Sequence, residues 1–161
     1  MSSRHGNGQG APSVDWPRDV CFGCGPANPS GLRLQFELSP GGKGYRCEFS
    51  PGASFAGPPG HAHGGIIATV PDEAMGKANK LRNRTALTRH LEVDYLHAVP
   101  LGQPLVVEGR VLRTKGRAIY NRAELSNAKG KVLARARGKF LTIEVERMFA
   151  RELKLEQRPS K

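Results

Sequence analysis

Nothing in this chain of 161 residues is both long and apolar enough to cross a bilayer as a helix. Cysteine is sparse, with three residues, and that number does not suggest a disulfide framework. Aromatic side chains make up 6% of the chain, and no strand-like segment carries the exposed row on which single-stranded nucleic acid stacks. The first residues are polar and glycine-rich, without the apolar core of a secretory leader. These shortages predict a cytoplasmic protein that neither enters a membrane nor reads nucleic acid.

Positive charge is what the chain has in excess. The formal net charge is +11, and it is unevenly placed. Residues 1–80 hold seven Lys/Arg against six Asp/Glu, whereas residues 81–161 hold eighteen against eight. A basic half attracts polyanions, a phosphate-rich ligand among them. A solvated, solubilising surface is the plain alternative. Length and a hydrophobic content of 38% suit one domain with its own core.

Turn formers divide the chain. Residues 1–19 read as a mobile arm, 20–145 as the folded domain and 146–161 as a charged C-terminal helix or tail. Within the domain, Cys21–Leu32 is punctuated by Gly, Pro and Asn. Alternation then predicts strands over Leu32–Leu38 and Gly44–Phe49, parted by Pro40-Gly41-Gly42. Ile66, Ile67, Val70, Ala74, Ala78 and Leu81 recur at helical spacing, predicting a helix from Gly64 to about Leu81. Long strands follow at Thr85–Val99, Pro104–Thr114, Arg117–Ser126 and Lys131–Glu144, with Lys115-Gly116 as a hairpin turn. In the last strand Ala134, Ala136 and Gly138 share one face, and Arg135, Arg137 and Lys139 share the other. Small inner residues let a helix lie close, so the pattern predicts an α+β fold: an antiparallel sheet curled around one helix.

The start of that helix carries the chemistry. In His63-Gly64-Gly65, two glycines let a carbonyl group approach the main chain, and a helix beginning there points unpaired N–H groups at it. Asp72 follows Gly65 by seven residues, about two turns, on the same face. Glu73 has Lys77 four residues on, the order that favours a surface ion pair. Asp72 has no cation within one turn and is left available. Pro71 lies just before it, where a proline removes a helix hydrogen bond.

The order Cys21-Phe22-Gly23-Cys24-Gly25, Asn28-Pro29, Gly31-Leu32, His63-Gly64-Gly65-Ile66-Ile67-Ala68-Thr69 and Asp72-Glu73-Ala74-Met75-Gly76 resembles the hotdog-fold acyl-CoA thioesterases of the PaaI-like branch. Leu91-Glu92-Val93-Asp94-Tyr95-Leu96 and Gly130-Lys131-Val132-Leu133-Ala134 extend the likeness to about Ile143. The resemblance implies a hotdog fold, homodimers with shared sites, often paired into a homotetramer, and hydrolysis of acyl-CoA thioesters without a metal or cofactor. It casts Asp72 as nucleophile or general base, the Gly65 amide as the oxyanion contact and Thr88 as an assisting hydroxyl. Gly64 lies beside the acyl carbonyl in that scheme. Arg89, Arg113, Lys115, Arg117 and Arg122 are candidates for the coenzyme A phosphates.

Other residues have more than one reading. His63 and His61 are either metal ligands, with Cys21 and Cys24 near them in sequence, or acid/base groups, or His63 braces the loop at the glycines while His61 borders the acyl entrance. Cys21 and Cys24 lack a second matched pair, which argues against zinc. Asn28 is either a polar contact to the substrate or the stabiliser of an Asn-Pro turn. Pro71 departs from the family pattern and favours the alternative of a domain that binds acyl-CoA without cleaving it.

Overall fold

The computed structural model describes residues 20–150. The arm expected over 1–19 and most of the helix expected over 146–156 lie outside the described residues. Within them the chain runs β1 (Glu37–Leu38), β2 (Tyr45–Phe49), α1 (Gly64–Ala78), β3 (Ala86–Tyr95), β4 (Leu105–Lys115), β5 (Ala118–Asn127), β6 (Val132–Thr142) and a single turn, α2 (Val145–Met148). The strands make one antiparallel sheet in the order β1-β2-β4-β5-β6-β3.

Alternation of side chains decides which face of this sheet is inside. In β5, Ile119, Asn121, Ala123 and Leu125 are buried while Arg122 and Glu124 between them are exposed. β6 repeats the pattern, with Ala134, Ala136, Gly138 and Phe140 inward and Arg135 and Arg137 outward. Helix α1 presents Ile67, Val70, Pro71, Ala74, Met75 and Ala78 to this inner face. Each fully buried side chain of Val, Leu, Ile, Phe or Met size contributes about 1.5–3 kcal/mol of transfer free energy.

Glycines set how closely helix and sheet approach. A Cβ on Gly109 in β4 would collide with the Ala74 carbonyl of α1. On Gly138 it would lie 2.6 Å from the Phe140 ring and 3.1 Å from Met75 Cε. The inner face of β6 is small, as the sequence pattern requires, but the tightest contact is at Gly109.

Two expectations need correction. Only Glu37–Leu38 of the strand expected over 32–38 joins the sheet. The Leu32 and Leu34 amides donate to the carbonyls of Phe22 and Gly23 instead, at 2.8 and 2.9 Å, so the alternation there reflects Leu34 packing under the cysteine loop. The helix ends at Ala78 and passes into a 3-10 turn over Asn79–Arg82 rather than running to Leu81. Pro71 takes a buried position in the apolar stripe of α1, which runs as one helix from Gly64 to Ala78.

Candidate active site

Asp72 sits at the border of the buried stripe of α1 and faces β3, a strand at the edge of the sheet. The register of β3 against β6 slips between Thr88 and His90, so Arg89 is an extra residue that bulges the strand. Bulges re-aim their neighbours, and here the Thr88 hydroxyl donates to Asp72 Oδ1 at 2.9 Å. Burial raises the Asp72 carboxyl above the ordinary range for aspartate. The Thr88 hydrogen bond opposes that rise, and the nearby Glu73 carboxylate adds to it. A half-buried acid held by one hydroxyl and facing no cation among the described residues is poised to take a proton.

The helix start is built by its own cap. His63 has extended backbone angles, its carbonyl accepts from the Ile66 and Ile67 amides at 3.0 and 3.1 Å, and its Nδ1 accepts from the Gly65 N–H at 3.0 Å. An imidazole accepts through Nδ1 only when its proton is on Nε2. The Gly65 amide, expected to stand open for an oxyanion, is thus held by the exposed His63 ring. Of the His63 readings, the brace is the one that this geometry contains. The Tyr95 hydroxyl donates to the Gly64 carbonyl at 3.1 Å, tying the helix start to the end of β3. His61 Nδ1 lies 2.8 Å from the Pro59 carbonyl, within the same loop.

Asn28 does not reach toward the helix start. Its Oδ1 accepts from the Ser30 amide and its Nδ2 donates to the Val20 carbonyl, both at 3.0 Å, so the turn uses both ends of the amide. That is the turn-stabilising one of the two Asn28 readings, as it stands within one chain. The surface pair expected between Glu73 and Lys77 also does not form. The cysteine loop lies over that side of α1, and Lys77 Nζ donates to Cys24 Sγ at 3.1 Å while Cys21 Sγ lies 3.8 Å from Glu73 Oε1. The Cys24 thiol is pushed up to about 11, first by burial and then by Glu73, with Lys77 opposing.

The five cations expected to hold phosphates separate. Arg113 lies over the Tyr120 ring, 3.8 Å from its centroid, and shares with Arg122, Arg137 and Lys139 a cavity of about 470 Å³ on the outer face of the sheet. Arg117 is on the other side of the β4–β5 hairpin end, where Nη2 donates to the Thr142 carbonyl at 3.0 Å and the side chain lines a second cavity. Arg89 and Lys115 line neither. A third cavity, about 340 Å³, opens one turn beyond Asp72 between Gly76, Leu87, Ile143 and Phe149, with Lys77 and Arg84 at its wall.

Sequence reasoning missed Asn121. It occupies an inward position of β5, is 1% exposed, and donates through Nδ2 to the Met75 carbonyl at 2.8 Å and to Asn79 Oδ1 at 2.7 Å. A polar residue in phase with Ile119 and Ala123 was the available signal. It takes up a carbonyl in the turn of α1 after Asp72.

Residues 59–134 match the model of the thioesterase superfamily. Acyl-coenzyme A thioesterase THEM4 of Xenopus laevis is 34% identical over 79 residues, covering 49% of this chain and 36% of that protein. The chain therefore spans little more than a third of that relative's length. A crystal structure of a thioesterase superfamily protein is 28% identical with a TM-score of 0.72, over 76% of this chain and 60% of that one. The Bacillus halodurans protein whose crystal structure was determined with CoA is 21% identical, with a TM-score of 0.63, over 70% of this chain and 76% of that one. The matched segment spans the helix, strands β3 to β5 and the start of β6, where the chain is similar to the thioesterase superfamily, and the six-stranded antiparallel sheet laid on one helix is the hotdog fold.

Proposed function

We propose that this chain is an acyl-CoA thioesterase, releasing a free acid and coenzyme A with Asp72 as general base or nucleophile. The observation that carries the reading is the Asp72–Thr88 pair: a carboxyl raised by burial, oriented by a hydroxyl and set on the central helix beside the sheet's edge. The names of the relatives, acyl-coenzyme A thioesterases among them, and a structural neighbour determined with CoA support the substrate class.

Simple lengths bear on where the site forms. Gly65 and Asp72 are seven residues apart on α1, which is about 10 Å of rise. One thioester carbonyl, with carbon and oxygen about 1.2 Å apart, cannot touch both groups of the same helix. The site therefore takes Gly65 from one protomer and Asp72 from a second copy, and β3, at an edge of the sheet among the described residues, offers that copy a place to pair. The Gly65 N–H would leave His63 Nδ1 and donate to the acyl oxygen. Losing such an oxyanion donor costs roughly 10²–10³ in rate. Asp72 would then draw the proton from a water attacking the carbonyl carbon, or attack it directly. Oligomeric state beyond this pairing, a tetramer included, belongs to the same proposal.

The test is hydrolysis by Asp72→Asn, measured as thiol release from a panel of acyl-CoAs, with calorimetry of CoA binding alongside. Turnover is expected to fall by about 10² or more while CoA affinity stays. Turnover near that of the wild type would remove Asp72 from the role. Binding without turnover by the wild-type chain would favour the non-catalytic alternative.

A further inference from the structure

The loop before the sheet brings two thiols to one face of α1, in a cluster that the proposed thioester chemistry does not use as a reacting group. Cys21, Cys24 and Glu73 each offer one donor atom, and all three atoms lie within 4.8 Å of one another in a half-buried position. We propose that Cys21 Sγ, Cys24 Sγ and a Glu73 carboxylate oxygen form a binding site for a thiophilic divalent cation, zinc being the physiological one. This site joins the cysteine loop to the central helix, and it stands whether or not the chain is a thioesterase.

Spacing is the first argument. In a tetrahedral zinc site, Zn–S distances near 2.3 Å and Zn–O distances near 2.1 Å put neighbouring donors roughly 3.6–3.8 Å apart. Cys21 Sγ lies 3.8 Å from Glu73 Oε1. Without metal this is a thiol-to-carboxylate hydrogen bond, and its length is also close to one edge of such a tetrahedron. The third donor lies within 4.8 Å of both, so a small rotation of one thiol completes the face. A water or a further oxygen donor fills the fourth position.

The loop is shaped to keep the donors together. A side chain at Gly23 would collide with Glu73, so glycine between the two cysteines allows the carboxylate to reach the loop. The Gly25 amide donates to the Cys21 carbonyl at 2.9 Å, closing the turn that brings both sulfurs to one side. Leu32 and Leu34 pin its other strand through Phe22 and Gly23.

Charge is the third argument. Two thiolates and a carboxylate carry −3, and a divalent cation leaves −1. Lys77, whose Nζ lies 3.1 Å from Cys24 Sγ, brings the loaded cluster to neutrality. The unloaded cluster, two thiols, a carboxylate and Lys77, is neutral as well, so metal binding releases two thiol protons and leaves no net charge in the half-buried position. The sequence argument against zinc was that Cys21 and Cys24 lack a second pair; the missing donor comes from the helix, 49 residues beyond Cys24.

The full chain, stripped of metal and kept reduced, is loaded with Zn²⁺ and, in parallel, with Co²⁺. One metal per chain is expected, with thiolate-to-cobalt charge-transfer absorption and a higher Tm for the zinc form. Cys21→Ser and Cys24→Ser should each lose stoichiometric binding. Glu73→Gln should keep the sulfur absorption but bind at least about tenfold more weakly, the scale seen when supporting groups of metal sites are removed. Cys47→Ser alters a buried thiol of β2 outside the cluster and should bind as the wild type does. Absent metal uptake by the reduced wild-type chain overturns the proposal. So does equal cobalt absorption after both Cys21 and Cys24 are replaced. A thiol titration in denaturant with a chelator that finds a single free thiol in the freshly isolated, unreduced chain would also overturn it, assigning the pair to a disulfide.

Discussion

Asp72 is a carboxyl that the fold makes harder to ionise, and this has a consequence for stability. Its pKa is raised in the folded state, chiefly by burial. Between the ordinary aspartate range, near 4, and that raised value, the folded chain holds more of the proton than the unfolded chain does. Stability is therefore greatest below that window and falls as pH rises through it. Asp72→Asn, which has no charge to bury and can still accept from Thr88, is expected to raise Tm at neutral pH. The gain should vanish below about pH 4, where both proteins are uncharged at this position. Equal Tm values across the range would show that Asp72 is solvated like any surface acid.

Thr88 acts on the same carboxyl in the opposite sense. Its hydrogen bond favours the ionised form, so Thr88→Val should let the folded pKa climb further. In a pH–rate profile of kcat/KM, the acid limb should move to higher pH, with a lower plateau from lost orientation. An unmoved limb with an unchanged plateau would separate Thr88 from the reaction. The pairing itself was legible in the sequence only through family resemblance. No periodicity marks which residue of a strand meets a helix 16 positions earlier, and the bulge at Arg89 that aims it leaves no trace in composition. The Gly65 amide illustrates a second limit: a helix start reads as a set of open donors until the side chain two residues before closes one of them.

At the scale of elements, hydrophobic period carried most of the fold. The stripe of α1 and the alternation of β4, β5 and β6 are local patterns, and each was legible. The failures came where a distant segment claims a backbone or side-chain group. Leu32 and Leu34 alternate like a strand but give their amides to the cysteine loop. Glu73 and Lys77 have ion-pair spacing but reach the same loop. Gly109 is of this kind too: an ordinary strand glycine in sequence, and the point where α1 touches the sheet. Gly109→Ala should push the helix off β4 and destabilise the domain by about 1–3 kcal/mol, as overpacking does elsewhere. A urea midpoint equal to that of the wild type would mean that helix and sheet are farther apart than this.

At the scale of the whole molecule, the proposed function makes the candidate site incomplete in one chain, because about 10 Å of helix separates Gly65 from Asp72. Complementation tests that directly. Gly65→Pro removes the amide donor in the first helical turn, where proline is tolerated, and Asp72→Asn removes the base. Each homomeric variant should be nearly inactive. When the two are denatured, mixed in equal amounts and refolded, half of the dimers are mixed, and one of the two sites in each has both working groups. Thiol release from acyl-CoA should return to about a quarter of the wild-type rate, as two-fold symmetry dictates. If mixed assemblies form and the rate stays at the level of the separate variants, no site draws Gly65 and Asp72 from different chains, and the account fails.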